Sequence, residues 1–151
     1  MRVCIAGTFN VLHKGHKQLL QKAFEYAGEN GVVYVGITDG EIALKKKHLI
    51  PFNKRVKAID DYLFSKGYEN RYTIIPIQDK IGPAADSDYD AIIVSPETYP
   101  NAQKINNKRI HIGKQPLRII EVPHVLADDK KPISSTRILN KEIDEEGRII
   151  S

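Results

Sequence analysis

Five short apolar runs, at residues 3–6, 32–37, 72–77, 91–94 and 117–122, are spaced along the chain with amphipathic stretches between them. Val32-Val33-Tyr34-Val35-Gly36-Ile37 and Ala91-Ile92-Ile93-Val94 are almost uninterrupted apolar. A strand carries apolar side chains in succession where both of its faces are covered, which is the situation inside a parallel sheet. The intervening stretches have helical spacing. Leu19, Leu20, Ala23, Phe24 and Ala27 form one stripe, with Lys17, Gln21, Lys22 and Glu25 mostly off it, and Gly28 and Gly31 mark its end. Val56, Ile59 and Leu63 repeat the pattern up to Gly67, and shorter helices are expected at 102–108 and 134–143. Strand–helix alternation gives right-handed crossovers. The expectation is an α/β chain forming one domain over 1–151, with a doubly wound parallel five-stranded sheet and helices on both faces.

Hydrophobic content of 41% and charged content of 28% are those of an ordinary globular chain, and the net charge of +4 favours anionic partners. Phosphorylated metabolites, nucleic acid and acidic surfaces all meet that condition. The one cysteine, Cys4, lies inside the first apolar run, a setting for a buried strand position rather than a nucleophile. No run approaches the ~18 apolar residues of a membrane span, and residues 3–6 are too short for a secretory core. A cytoplasmic protein without a membrane segment is expected. The mostly charged residues 142–151 are expected to fray.

In a doubly wound sheet, ligands bind beyond the carboxyl ends of the strands, where strand order reverses. The loops at 7–13 and 95–98 are the candidates. Gly-x-Gly-x-x-Gly and Gly-x-x-x-x-Gly-Lys-Ser/Thr are both absent, which disfavours a dinucleotide-dependent dehydrogenase and a P-loop NTPase. The first loop instead reads Gly7-Thr8-Phe9-Asn10-Val11-Leu12-His13-Lys14-Gly15-His16-Lys17 and runs into a helix. A helix N-terminus offers unpaired N–H groups and partial positive charge, a seat for phosphate. Gly7 permits a close backbone approach, the Thr8 and Phe9 amides can face a phosphate, and Gly15 removes bulk between His13 and His16. Two plainer readings compete: a metal site, which lacks further nearby ligands, and simple helix capping. At the far end of the chain, Pro132-Ile133-Ser134-Ser135-Thr136-Arg137 supplies three hydroxyls and an arginine at a second helix start. These are N-cap residues in the plain reading and a second phosphate cradle in the functional one.

Gly7-Thr8-Phe9 and His13-x-Gly15-His16, taken with Ile133-Ser134-Ser135-Thr136-Arg137, resemble the nucleotidyltransferase superfamily of the HxGH and ISSTxxR type. The resemblance covers the whole chain and implies a Rossmann-like fold. The middle of the chain, Asp79-x-x-Gly82-Pro83, Ile93-Val94-Ser95-x-Glu97-Thr98 and Ile105-Asn106-x-x-Arg109, is similar to the phosphopantetheine adenylyltransferase family in its archaeal and eukaryotic-like form. Asn10 departs from that pattern, which has Asp there, and is given no catalytic role.

The resemblance implies transfer of the adenylyl group of ATP to 4′-phosphopantetheine, giving dephospho-coenzyme A and pyrophosphate. Mg²⁺ would arrive with ATP and no metal site of the protein's own is expected; nor is a nucleic-acid or membrane partner. It places Thr8 and His16 on the α-phosphate, with His13 supporting the phosphates or ribose. Ser134, Ser135, Thr136 and Arg137 hold the β- and γ-phosphates. Gly7, Phe9, Gly15, Ser95 and Glu97 complete the nucleotide site, Arg109 is a further phosphate contact, and Arg55 is structural. One of Lys45, Lys46 and Lys47, with Lys47 the first choice, bridges the reacting phosphates. The alternatives are a transferase for FMN, NMN or glycerol-3-phosphate, and a non-enzymatic nucleotide- or RNA-binding module.

Overall fold

A computed structural model describes residues 1–40, 49–79 and 81–150. Its sheet contains β1 (Arg2–Gly7), β2 (Val32–Thr38), β3 (Tyr72–Ile77), β4 (Ala91–Val94) and β5 (Arg118–Glu121). All pairings are parallel and the order is β3-β2-β1-β4-β5. The helices are α1 (Lys14–Ala27), α2 (Phe52–Ser65), α3 (Tyr99–His111) and α4 (Ser135–Leu139), with a 3₁₀ turn at Gly82–Ala85.

Alternation along each strand decides what each face receives. Val3 and Ile5 of β1, Val33, Val35 and Ile37 of β2, and Ala91 and Ile93 of β4 turn to one side, where Leu20, Ala23 and Phe24 of α1 and Ile59 and Leu63 of α2 cover them. Cys4, Ile92 and Val94 turn to the other side, against Ala102 and Ile105 of α3 and against Leu117. Burying each such aliphatic side chain contributes roughly 1.5–3 kcal/mol before entropy is counted. This two-sided cover is why β2 and β4 read as continuous apolar runs. Burial pushes the Cys4 thiol up to about 12, so this residue is a core side chain and not a nucleophile.

Two expectations are corrected near the C-terminus. The last helix stops at Leu139 instead of reaching residue 143, because the chain turns at Lys141 with φ 61°. The turn carries Ile143 into a third apolar cluster with Ala127 and Ile133, where it is fully buried. The tail does not fray through residue 150. Ile143 bridges Ile149, the Asp144 carboxylate accepts from the Glu146 and Arg148 amides, and the Glu145 carbonyl accepts from Lys14 N at 3.0 Å. Charge alone pointed to a loose end, whereas one buried isoleucine holds it. Among the described residues, no helix is long and apolar enough to cross a membrane.

Candidate active site

Strand order reverses between β1 and β4, so the loops leaving these two strands flank a crevice at the carboxyl edge of the sheet. Loop 8–13 leaves β1 there and enters α1. His13 is its hinge. In extended conformation at the N-cap, its Nδ1 accepts from the Gly15 and His16 amides at 3.0 and 3.3 Å. An acceptor Nδ1 requires the proton on Nε2, so the ring is neutral. Burial, reinforced by Lys17, lowers its pKa to about 4. The plain capping role is therefore real, and it uses two of the amides that a phosphate would otherwise meet. The Lys14 and Lys17 amides are also occupied, by the carbonyls of Glu145 and His13.

His16 stacks on His13 with centroids 3.7 Å apart and meets the edge of Phe9 at 5.0 Å. Burial first, then the neighbouring His13, lower its pKa to about 3, against an opposing pull from the Val11 backbone. Its Nδ1 is buried with no hydrogen-bond partner of good geometry. His16 is thus a neutral donor or acceptor, not a cation. Gly15 has a local reason: a Cβ there would lie 2.9 Å from His13 Cε1. Phe9 is buried and adopts φ 50°, a left-handed conformation that costs a bulky residue about 1–2 kcal/mol. Among the described residues, no hydrogen-bond partner is recorded for the Thr8 or Phe9 amide.

The second motif lies directly against the first. Ser134 caps α4 by accepting from Arg137 N at 3.2 Å. Ser135 Oγ accepts from Val11 N at 3.0 Å and donates to Val11 O at 3.2 Å. Thr136 is exposed at the same helix start. Arg137 is engaged with Asp129 and with Glu142 at 3.3 Å, and Nη1 donates to Pro132 O at 3.1 Å. The hydrogen bond from Arg137 holds the Asp129 carboxyl below its usual range. For Arg137 to reach a phosphate, it must exchange these carboxylates for the ligand.

Of two further arginines, Arg109 departs from the expected phosphate contact, and Arg55 is structural as expected but at the edge of the site. Arg109 is buried and donates to the carbonyls of Gln115, Ala84 and Ser87 at 2.7–2.9 Å, so it organises the 82–90 segment rather than facing the crevice. Arg55, read as structural, is also buried, but it reaches into the site. Its Nη1 donates to Thr8 O at 3.0 Å and Thr38 O at 2.8 Å, and its Nε to Ile50 O at 2.8 Å. Thr38 donates to the Thr8 hydroxyl at 3.2 Å, and Asn10 Oδ1 accepts from Ile50 N at 2.7 Å. Sequence reasoning missed Thr38 and this use of Arg55. The available signal was a charge at the buried i, i+4, i+8 positions 55, 59 and 63 of an amphipathic helix.

Ser95 and Thr98 close the loop after β4 through Ser95 N to Thr98 Oγ1 at 3.0 Å, and Glu97 is exposed beside them. Lys45, Lys46 and Lys47 lie outside the described residues. Among those residues, no group of three or more His, Cys, Asp or Glu side chains gathers as metal ligands. An apolar cleft of about 40 Å³ lies beside the crevice, lined by Tyr34, Gly36, Ile77, Pro83, Tyr89 and Ile105 among others. A larger open depression of about 560 Å³, at Met1, Arg2, Asn30, Asp88 and Asp90, sits at the opposite edge of the sheet and holds none of the motif residues.

Residues 4–141 match the cytidylyltransferase-like family. The chain is 45% identical over 149 residues to the phosphopantetheine adenylyltransferase of Methanosarcina mazei, covering 98% of this chain and 96% of that one. It is 40% identical to the phosphopantetheine adenylyltransferase of Archaeoglobus fulgidus, covering 99% of this chain and all of the other. A crystal structure of an Archaeoglobus fulgidus protein described as of unknown function superimposes with TM-score 0.73 at 35% identity, over 81% of this chain and 89% of that one.

Proposed function

This chain belongs to the cytidylyltransferase-like family, among its archaeal phosphopantetheine adenylyltransferases, and from that premise we propose that it transfers the adenylyl group of ATP to 4′-phosphopantetheine, giving dephospho-coenzyme A and pyrophosphate. The observation that carries the proposal is the contact of Ser135 with Val11, which sets the two motifs assigned to the phosphates against each other. An oxygen of the acceptor's terminal phosphate attacks the α-phosphorus, a P–O bond forms, and the bridging oxygen leaves with pyrophosphate. Transfer of this kind needs positioning and charge stabilisation more than covalent help.

In this reading Thr8 and His16 serve the α-phosphate, with His16 acting as a neutral N–H donor. Ser134, Ser135, Thr136 and Arg137 receive the β- and γ-phosphates, Ser135 through its backbone N–H because its hydroxyl proton goes to Val11 O, and Arg137 by leaving Asp129 and Glu142. Lys47, or its neighbours Lys45 and Lys46, bridges donor and acceptor phosphates. Ser95 and Glu97, at the loop after β4, are the residues assigned to the nucleoside. Mg²⁺ would be carried on the phosphate oxygens of ATP, where it would shield their charge. We place the reaction in the cytoplasm, because both substrates are water-soluble phosphate esters.

The test mixes the protein, ATP and Mg²⁺ with 4′-phosphopantetheine and follows pyrophosphate and the nucleotide product by mass. FMN, NMN, glycerol-3-phosphate, and CTP in place of ATP, run in parallel. Dephospho-coenzyme A with 4′-phosphopantetheine and ATP alone is expected. Turnover with another acceptor replaces the substrate, and no turnover in any mixture overturns the assignment.

A further inference from the structure

We propose that Arg55 is a positioning residue for this reaction: by holding the Thr8 carbonyl it aims the N–H of Phe9, in the same peptide plane, at the nucleotide phosphates. The inference rests on the reading that loop 8–13 binds those phosphates. In a trans peptide the carbonyl and the following N–H point in opposite directions. Arg55 Nη1 holds Thr8 O at 3.0 Å, so the Phe9 N–H is turned away from the guanidinium. That amide has no recorded partner among the described residues, and Phe9 sits at φ 50°, a conformation its own side chain disfavours. A strained backbone with a free donor persists where its surroundings over-determine it. Arg55 supplies one constraint, the Thr38 hydroxyl on Thr8 a second, and the buried Phe9 ring against His16 a third.

The chemistry of Arg55 also exceeds what packing needs. It is 2% exposed, its hydrogen bonds among the described residues all go to backbone carbonyls, its guanidinium lies 5.5 Å from the Phe52 ring centroid, and among those residues it makes no ion pair. Aliphatic side chains fill such a position without burying a charge. The guanidinium neutralises the partial negative charge of the Thr8 and Thr38 carbonyls at the ends of β1 and β2. Its charge, which the Asp39 carboxylate partly offsets, adds a positive field beneath the loop.

The test follows the Phe9 amide of the ¹⁵N-labelled full chain during titration with ATP and Mg²⁺, without acceptor, and compares Arg55→Lys with the wild type. Lysine keeps the charge but lacks the planar fork that holds several carbonyls at once. The Phe9 signal is expected to move on ATP binding in the wild type and to lose most of that response in Arg55→Lys. The kcat of the variant is expected to fall about tenfold or more, on the scale of a misplaced transition-state donor, with KM for 4′-phosphopantetheine within about twofold. A Phe9 amide that stays still while the Ser135 and Thr136 amides move overturns the proposal. A folded Arg55→Lys with wild-type kcat does the same. If that variant does not fold, the wild-type titration decides alone. A protein that binds ATP but ignores 4′-phosphopantetheine overturns the acceptor assignment, while the Phe9 signal still decides the role of Arg55.

Discussion

The hydroxyl of Ser135 serves both backbone groups of Val11, accepting from its N–H at 3.0 Å and donating to its carbonyl at 3.2 Å, across 124 residues of chain. A hydroxyl has one proton and two lone pairs, so this arrangement leaves one lone pair over. Ser135 is a strut between the loop after β1 and the start of α4.

Ser135→Ala removes the strut and leaves two part-buried backbone groups unpaired, each worth about 1–3 kcal/mol when water cannot replace the partner. The melting temperature is expected to fall by several degrees, on the scale of about 2–4 °C per kcal/mol for a chain of this size. KM for ATP should rise in the same variant. Thermal melting and initial rates check both, and an alanine variant that matches the wild type in each removes Ser135 as the link between the motifs.

Gly15→Ala sets two effects against each other. Alanine is the better helix former by about 1 kcal/mol. Its Cβ would meet His13 Cε1 at 2.9 Å, and that ring is held by its two amide bonds and its stack on His16. The ring is buried and has little room to yield, so we expect net destabilisation despite the better propensity. A higher melting temperature for Gly15→Ala shows instead that His13 moves aside freely.

Acid sensitivity follows from the two histidines. Both have folded pKa values, about 4 for His13 and about 3 for His16, below their ordinary 6.5. The unfolded chain therefore takes up protons near pH 6.5 that the folded chain refuses, so stability is complete above that pH and is lost as pH falls. The loss runs from about 6.5 down to about 4 for His13 and about 3 for His16, at up to about 1.4 kcal/mol per pH unit for each. Asparagine accepts at an N-cap without titrating. Denaturant unfolding of His13→Asn is expected to show a shallower slope across this window, and an unchanged slope assigns the acid sensitivity to the carboxylates.

His16→Ala should reduce turnover by at least ~10²-fold, the usual loss for one transition-state donor, in a protein that still folds. Because burial holds His16 neutral in the free protein, with a pKa lowered to about 3, wild-type kcat/KM should show no ionisation of this group between about pH 5 and 8. Near-normal turnover in the alanine variant takes His16 out of the mechanism.

Much of the fold was legible because local periodicity and two-sided burial leave direct marks on residue order. The runs at 72–77 and 91–94 are strands to the residue, and the stripe from Leu20 to Ala27 lies on the core face of α1. The end of the last helix and the order of the tail were not legible. A positive φ at Lys141 and the burial of Ile143 against Ala127 and Ile133 depend on contacts made after the turn.

The same division holds at the site. The residue order alone determined that two helix starts rich in hydroxyl and imidazole groups stand at opposite ends of an α/β chain, because such capping groups mark a helix N-terminus locally. Only the tertiary structure decided what each group is doing. It turned His13 onto its own helix, gave Arg137 to Asp129, withdrew Arg109 among carbonyls and brought Arg55 beneath Thr8. The physical reason is that a side chain's spacing is a local property, whereas its hydrogen-bond partner is whichever group the packed chain delivers within about 3 Å.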